Sequence, residues 1–261
     1  MIKKTISVIV ITYNEENNID ECLKSVKWAD EIILVDSYST DNTIIKAKKY
    51  TDKIFHKKFE DDFSKQKNYA LSKVNSDWIL ILDADEKLKK DAKKKIRNII
   101  NNNNMSGYWF PRRNYINNKT YLKHGLFYPD WQLRLIQNNK NIEFIGAVHE
   151  LPNIPSEKTS KISNIEIIHN SSRTKYNSFQ SFYRLYPFIK LESHLLEKSN
   201  IPITEIFKSI ILSIPHELWW NIIERKGYKD SWYGIKATLI YSFYRELIYL
   251  LTLTQRLRMT K

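Results

Sequence analysis

Apolar residues follow two alternating rhythms over the first hundred positions. Ile6–Thr12, Glu31–Asp36 and Trp78–Asp83 are short runs of β-branched and aliphatic residues bounded by polar turns, which predicts buried strands, and Lys53–Phe55 is a shorter run of the same kind. Between them, Ile19–Val26, Thr43–Tyr50, Ser64–Ser72 and a basic stretch around Leu88–Ile100 carry apolar residues at helical spacing. This alternation predicts βαβ units, and hence an α/β fold with a mostly parallel, Rossmann-like sheet flanked by helices. Ligands of such sheets bind beyond the carboxyl ends of the strands. Those ends are polar here: Thr12-Tyr13-Asn14-Glu15, Asp36-Ser37-Tyr38-Ser39-Thr40-Asp41 and Asp83-Ala84-Asp85-Glu86. One acidic, hydroxyl-rich crevice is therefore expected.

From Gly107 to Ile168 the rhythm is less regular, with strand-like pieces at Tyr108–Pro111, Gln132–Ile136 and Ile162–Ile168. Beyond that the spacing predicts helices over Ser178–Lys198, Thr204–Glu224 and Ser231–Thr252, broken at Pro202 and near Gly227. The expected organisation is a catalytic domain over residues 1–175 and a helical C-terminal extension over 176–261.

A 261-residue chain that is 42% hydrophobic can bury a real core, which excludes wholesale disorder. Its net charge of +13 attracts polyanions, whether nucleic acid, anionic headgroups or phosphorylated sugars. No helix-turn-helix, zinc or RNA-binding signature accompanies that charge, so nucleic acid is not an expected partner. Cys22 is the only cysteine, the N-terminus lacks a signal-peptide pattern, and no window approaches the roughly 20 apolar residues of a membrane span. A cytoplasmic protein is expected. Phe207–Trp232 interleaves Trp219, Trp220, Tyr228 and Trp232 with Lys208, Arg225, Lys226 and Lys229, which suits peripheral contact with an anionic membrane surface, here the inner face of the plasma membrane, as well as packing on protein.

The crevice suggests the chemistry. Asp83 and Asp85, one residue apart at the end of a buried run, repel unless a cation offsets them. Hard oxygen ligands suit Mn2+ or Mg2+, which complete their shells with water and diphosphate oxygens.

Val8-Ile9-Val10-Ile11-Thr12-Tyr13-Asn14-Glu15, Val35–Thr43 and Leu80-Ile81-Leu82-Asp83-Ala84-Asp85-Glu86 together resemble the three successive signatures of family 2, GT-A-fold glycosyltransferases. Trp28-Ala29-Asp30-Glu31 and Gly146-Ala147-Val148-His149-Glu150 are similar to the lipopolysaccharide core β-glucosyltransferase subgroup. The resemblance implies an inverting, metal-dependent transfer of a hexose such as glucose from a nucleoside-diphosphate sugar, UDP-linked, to a saccharide or lipid-linked acceptor. It places Thr12, Tyr13 and Glu15 in the nucleoside pocket and Asp36 on the base or ribose. Asp83 would face ribose and metal, and Asp85 would bind the metal directly. Lys67 stands where the family often has an Arg near the nucleotide, and a single ammonium gives up the bidentate contact.

Glu150 occupies the family's usual acidic position for the general base, with His149 beside it as the alternative. His169 is a candidate further metal ligand or an ordinary strand-end histidine. Arg134 is a candidate for holding a phosphate or sugar hydroxyl, or for a structural salt bridge. A nucleotidyltransferase is the competing enzyme class, but its Gly-rich phosphate loop is missing, since Thr12–Asn17 contains no glycine.

Overall fold

The computed structural model describes residues 4–102, 104–116, 120–170 and 182–259. They form two compact units, one built on the chain up to Arg112 with Trp131–Asn170, the other on Arg113–Asp130 with the C-terminal helices. The expected boundary at 175/176 falls outside the described residues, as does the start of the helix expected at Ser178.

In the first unit, β1 (Ile6–Thr12), α1 (Ile19–Val26), β2 (Glu31–Asp36), α2 (Thr43–Ala47), β3 (Ile54–His56), α3 (Phe63–Leu71) and β4 (Trp78–Asp83) follow the expected alternation. β3, β2, β1 and β4 lie side by side and parallel. Side chains alternate across this layer: Ile6, Val8 and Val10 join a core with Ile19, Leu23 and Val26 of α1, whereas Ile9 joins Ile33, Ile79, Ile81 and Ala70 of α3 on the other face. The run of apolar residues in each strand thus reflects burial on both sides.

The sheet continues through β7 (Asp130–Gln137), antiparallel to β4, then β6 (Gly107–Asn114), β11 (Ile167–His169) and β5 (Glu86–Leu88), with β10 (Thr159–Lys161) pairing off β6. Two expectations are corrected here. Leu88 belongs to β5 rather than to the following helix, α4, which runs Ala92–Asn102, because Glu86–Leu88 pairs antiparallel with β11. Within the expected strand Ile162–Ile168, only the last two residues are extended in the sheet. A two-stranded hairpin, β8 (Phe144–Ile145) with β9 (Leu151–Pro152), completes the unit.

The second unit contains α5 (Phe182–Lys198), α6 (Ile203–Leu218) running on as a π-helical turn over Trp219–Glu224, and α7 (Ser231–Met259). Leu185 and Ile189 of α5 pack with Ile240 and Ile248 of α7. Arg256 donates to the carbonyls of Leu196 at 3.2 Å and Glu197 at 3.1 Å, closing the C-terminus of α5. Arg113–Asp130 clusters with these helices rather than with the sheet. Asp230 accepts from the Lys123 and His124 amides at 2.7 and 2.8 Å, and Gly125 donates to the Arg225 carbonyl at 2.9 Å. Gly234 is required where it stands, since a Cβ there would lie 2.2 Å from the Gly227 carbonyl oxygen. Among the described residues no helix is long and apolar enough to cross a membrane.

Candidate active site

Register brings the polar strand ends together, because Thr12 pairs with Asp36 across β1 and β2 while Ile11 pairs with Asp83 across β1 and β4. The two loops that follow β1 and β2 are laced to each other. Asn14, held at φ 51°, accepts from the Thr40 amide at 2.8 Å and donates its own amide to Ser39 Oγ at 2.9 Å. The Glu15 amide donates to Thr43 Oγ1 at 2.8 Å, and Glu15 Oε2 accepts from the Asn18 side chain at 2.7 Å.

Asp36 is fully buried and accepts from the Ser39 amide at 2.9 Å and the Ser39 hydroxyl at 2.5 Å, with His56 Nδ1 3.2 Å away. His56 in turn stacks on Tyr38. Tyr13 and Tyr38 both stand exposed at the loop ends, flat aromatic surfaces available to a ring. The Thr12 hydroxyl, by contrast, is buried and makes no hydrogen bond, an orphan that a bound ligand would satisfy. His56 and Ser39 belong to this corner although sequence reasoning did not single them out.

The β4 end is a charged cluster. Arg134 on β7 is buried and donates to Asp83 Oδ2 at 2.6 Å and to Glu86 Oε1 at 2.7 Å; Arg112 adds a contact to the same Glu86 oxygen at 3.1 Å. Burial by itself would raise the Asp83 carboxyl, but the guanidinium of Arg134 and the ammonium of Lys67 outweigh it and hold that group far below the usual carboxylate range. Arg134 therefore occupies the salt-bridging position of its two sequence-based readings. Glu86 and Arg112 were missed as site residues, although Glu86 sits inside the quoted Asp83–Glu86 signature.

Asp85, in the turn after β4, lies 3.3 Å from Nε2 of His169, which the β5–β11 pairing sets opposite Glu86. The structure thus brings Asp85 and His169 together while Asp83 is committed to Arg134. Among the described residues, no group of three or more His, Cys, Asp or Glu side chains is arranged to hold a metal ion. Beneath this turn, the Cys22 thiol points at the Asp83 carbonyl at 3.6 Å, and burial, reinforced by the carboxylates of Glu86, Asp85, Asp83 and Glu15, pushes it well up.

Three successive residues of α3 anchor the remaining wall. Gln66 donates to the carbonyls of Lys57 and Lys58, and Asn68 clamps Phe144 of β8, accepting its amide at 2.7 Å and donating to its carbonyl at 3.0 Å. Between them Lys67 donates to Glu150 Oε1 at 2.5 Å. Glu150 and His149 lie in the β8–β9 hairpin loop, not on a strand, with Gly146 at φ 102° and His149 at φ 57°. Only Glu150 turns inward, its side chain 13% exposed, while His149 is exposed.

This arrangement of strand-end motifs coincides with a family model. Glycosyl transferase family 2 matches residues 7–183. The chain belongs to that family. It is 32% identical over 229 residues to the SPbeta prophage-derived glycosyltransferase SunS of Bacillus subtilis (strain 168), covering 79% of this chain and 53% of that one. It is 39% identical over 109 residues to an uncharacterized glycosyltransferase of Rickettsia bellii (strain RML369-C), covering 41% and 37% respectively. The chain spans about half the length of the first of these relatives and less of the second. Among solved structures, S. aureus TarS 1-349 in complex with UDP-GlcNAc is similar with a TM-score of 0.49 and 18% identity, over 98% of this chain and 92% of that one. Glucosyl-3-phosphoglycerate synthase from Mycobacterium tuberculosis, with Mg2+ and UDP, gives 0.38 and 20% over 42% and 44%. The described residues show an α/β fold, a sheet flanked by helices, with helices toward the C-terminus.

Proposed function

We propose that this member of family 2 is an inverting, metal-dependent glycosyltransferase. It moves a hexose such as glucose from a UDP-linked donor to a saccharide or lipid-linked acceptor of the cell surface. The assignment to lipopolysaccharide core synthesis rests on the resemblance of Trp28–Glu31 and Gly146–Glu150 alone. The observation that carries the reading is the register of Thr12 with Asp36 and of Ile11 with Asp83, which joins three polar strand ends in one crevice. In this reading the unit built on the chain up to Arg112 with Trp131–Asn170 is the catalytic domain, and the unit built on Arg113–Asp130 with the C-terminal helices is its extension.

In this reading the nucleoside lies across Thr12, Tyr13 and Glu15, where the orphan Thr12 hydroxyl finds a partner and Asp36, braced by Ser39 and His56, meets the base or ribose. Asp85 would hold Mn2+ or Mg2+ through its carboxylate, with the imidazole of His169, 3.3 Å from it, as a candidate further ligand for Mn2+ and Asp83 close by. A divalent ion bound there would supply Lewis-acid stabilisation of the leaving diphosphate. Arg134 pairs with Asp83 and Glu86, and Arg112 with Glu86, so the end of β4 presents a fixed edge. As the acceptor oxygen bonds to the anomeric carbon, the carbon–oxygen bond to the diphosphate breaks with its electron pair on the phosphate oxygen. Glu150 takes the acceptor proton.

The test is nucleoside diphosphate release from a panel of sugar nucleotides, with and without Mn2+. Asp85→Asn is expected to abolish metal-dependent turnover with its melting temperature unchanged, because the substitution removes a ligand without opening a cavity. Activity near that of the unaltered protein across a metal titration would overturn the reading.

The second unit supports peripheral attachment to an anionic bilayer. Phe207, Ile211, Trp219 and Ile223, four or eight positions apart, are all exposed, as are Trp220, Tyr228 and Trp232, with Lys208, Arg225, Lys226 and Lys229 among them. Co-sedimentation with liposomes is expected to rise with anionic lipid, fall with salt, and weaken in Trp219→Ser/Trp220→Ser at unchanged thermal stability. Indifference to lipid charge would leave the stripe as a protein-packing surface.

A further inference from the structure

Lys67 occupies a position that nucleotide binding alone does not explain. Its side chain is only 5% exposed, its ammonium donates to Glu150 at 2.5 Å, and it stands 3.7 Å from Asp83 Oδ1, inside ion-pair range but too far for a hydrogen bond. The other Asp83 oxygen is taken by Arg134 at 2.6 Å. One cation therefore stands between the carboxylate read as the base and the strand-end carboxylate at the diphosphate end of the crevice. The backbone of α3 is held on both sides, by Gln66 on Lys57 and Lys58 and by Asn68 on Phe144, so the freedom lies in the four-carbon stem of Lys67.

While Glu150 Oε1 accepts from Lys67, that oxygen is occupied and cannot meet the proton of an acceptor hydroxyl. A diphosphate arriving at the β4 end adds negative charge on the far side of the same ammonium. We propose that Lys67 is a shared cation: it masks Glu150 while the donor site is empty and turns to the diphosphate when donor binds, so that the base is released only with donor in place. The inference rests on the reading of Glu150 as the base and of the β4 end as the diphosphate site.

Thermodynamic reciprocity makes it testable without knowing the acceptor. If Glu150 and the diphosphate compete for Lys67, removing the charge of Glu150 must tighten nucleotide binding, and only while Lys67 is present. The measurement is UDP affinity by calorimetry with Mn2+ for the unaltered protein, Glu150→Gln, Lys67→Met and the double variant, each checked by thermal unfolding. Glu150→Gln is expected to tighten UDP roughly two- to tenfold. Lys67→Met is expected to weaken it, and adding Glu150→Gln to Lys67→Met is expected to change nothing further. Tightening of the same size with and without Lys67 would be a through-space charge effect and would overturn the coupling, as would no tightening at all. If Lys67→Met does not fold, the Glu150→Gln single variant still decides, because unchanged UDP affinity rejects the competition. Failure of the folded, unaltered protein to bind UDP with any divalent ion sinks the donor-site reading and the coupling together, whereas binding with additive substitutions sinks the coupling alone.

Discussion

Arg134→Met tests whether the buried guanidinium organises the crevice. In the folded protein Arg134 neutralises Asp83 at 2.6 Å and Glu86 at 2.7 Å, and the Glu86 side chain has no solvent exposure. Without it, Glu86 retains Arg112 at 3.1 Å and the Asp83 amide at 3.2 Å, and Asp83 retains Lys67 at 3.7 Å. Breaking a buried pair by removing one partner costs about 3–5 kcal/mol, and the two surviving cations place this case near the lower end. At 2–4 °C per kcal/mol for a chain of this size, the midpoint should fall by about 6–12 °C. The Asp83 carboxyl is lowered in the fold, so its pairing contributes stability above its unfolded value of about 4 that is lost as pH falls through the lower folded value. Unfolding by urea at neutral pH and near pH 3 should therefore show the gap between protein and variant narrowing in acid, and Glu86→Gln added to Arg134→Met should recover part of the loss. A neutral-pH loss below about 1 kcal/mol, or a gap that stays constant with pH, would refute the argument.

Glu150→Gln is expected to lower turnover by roughly 10²–10⁴-fold, and His149→Asn by less, since only Glu150 faces inward; steady-state rates with the order reversed would move the base to His149. Gly234→Ala should lower the thermal midpoint, at a cost of about 1–3 kcal/mol, because its Cβ meets a backbone oxygen that cannot rotate away; an unchanged midpoint would mean the glycine pair is looser than its geometry.

The parallel half of the sheet was legible in the chain because each strand is buried on both faces and ends in a different polar motif. Ile6–Thr12, Glu31–Asp36 and Trp78–Asp83 keep their expected bounds. The antiparallel half was not, since β5 and β11 are three residues each and owe their form to long-range pairing, β5 with β11 and β11 also with β6. Periodicity carries no sign of that long-range pairing. The same limit applies to the site. Asp83, Asp85 and Asp36 announced themselves as strand ends, whereas the bond between Lys67 and Glu150 spans 83 positions and has no local signature. Glu86 looked like the tail of a motif. Its role emerges only once Arg112 and Arg134, from strands far along the chain, are seen to converge on it.

Cys22 gives the crevice a built-in reporter. The chain's single thiol lies under the Asp83 carbonyl, fully buried and held protonated, so reagents that attack thiolates reach it only when α1 lifts away from the end of β4. The rate at which it is alkylated under native conditions therefore measures the free energy of that local opening, with no label to introduce and no competing cysteine. Ligands that brace the crevice floor will slow the reaction in proportion to how tightly they close it.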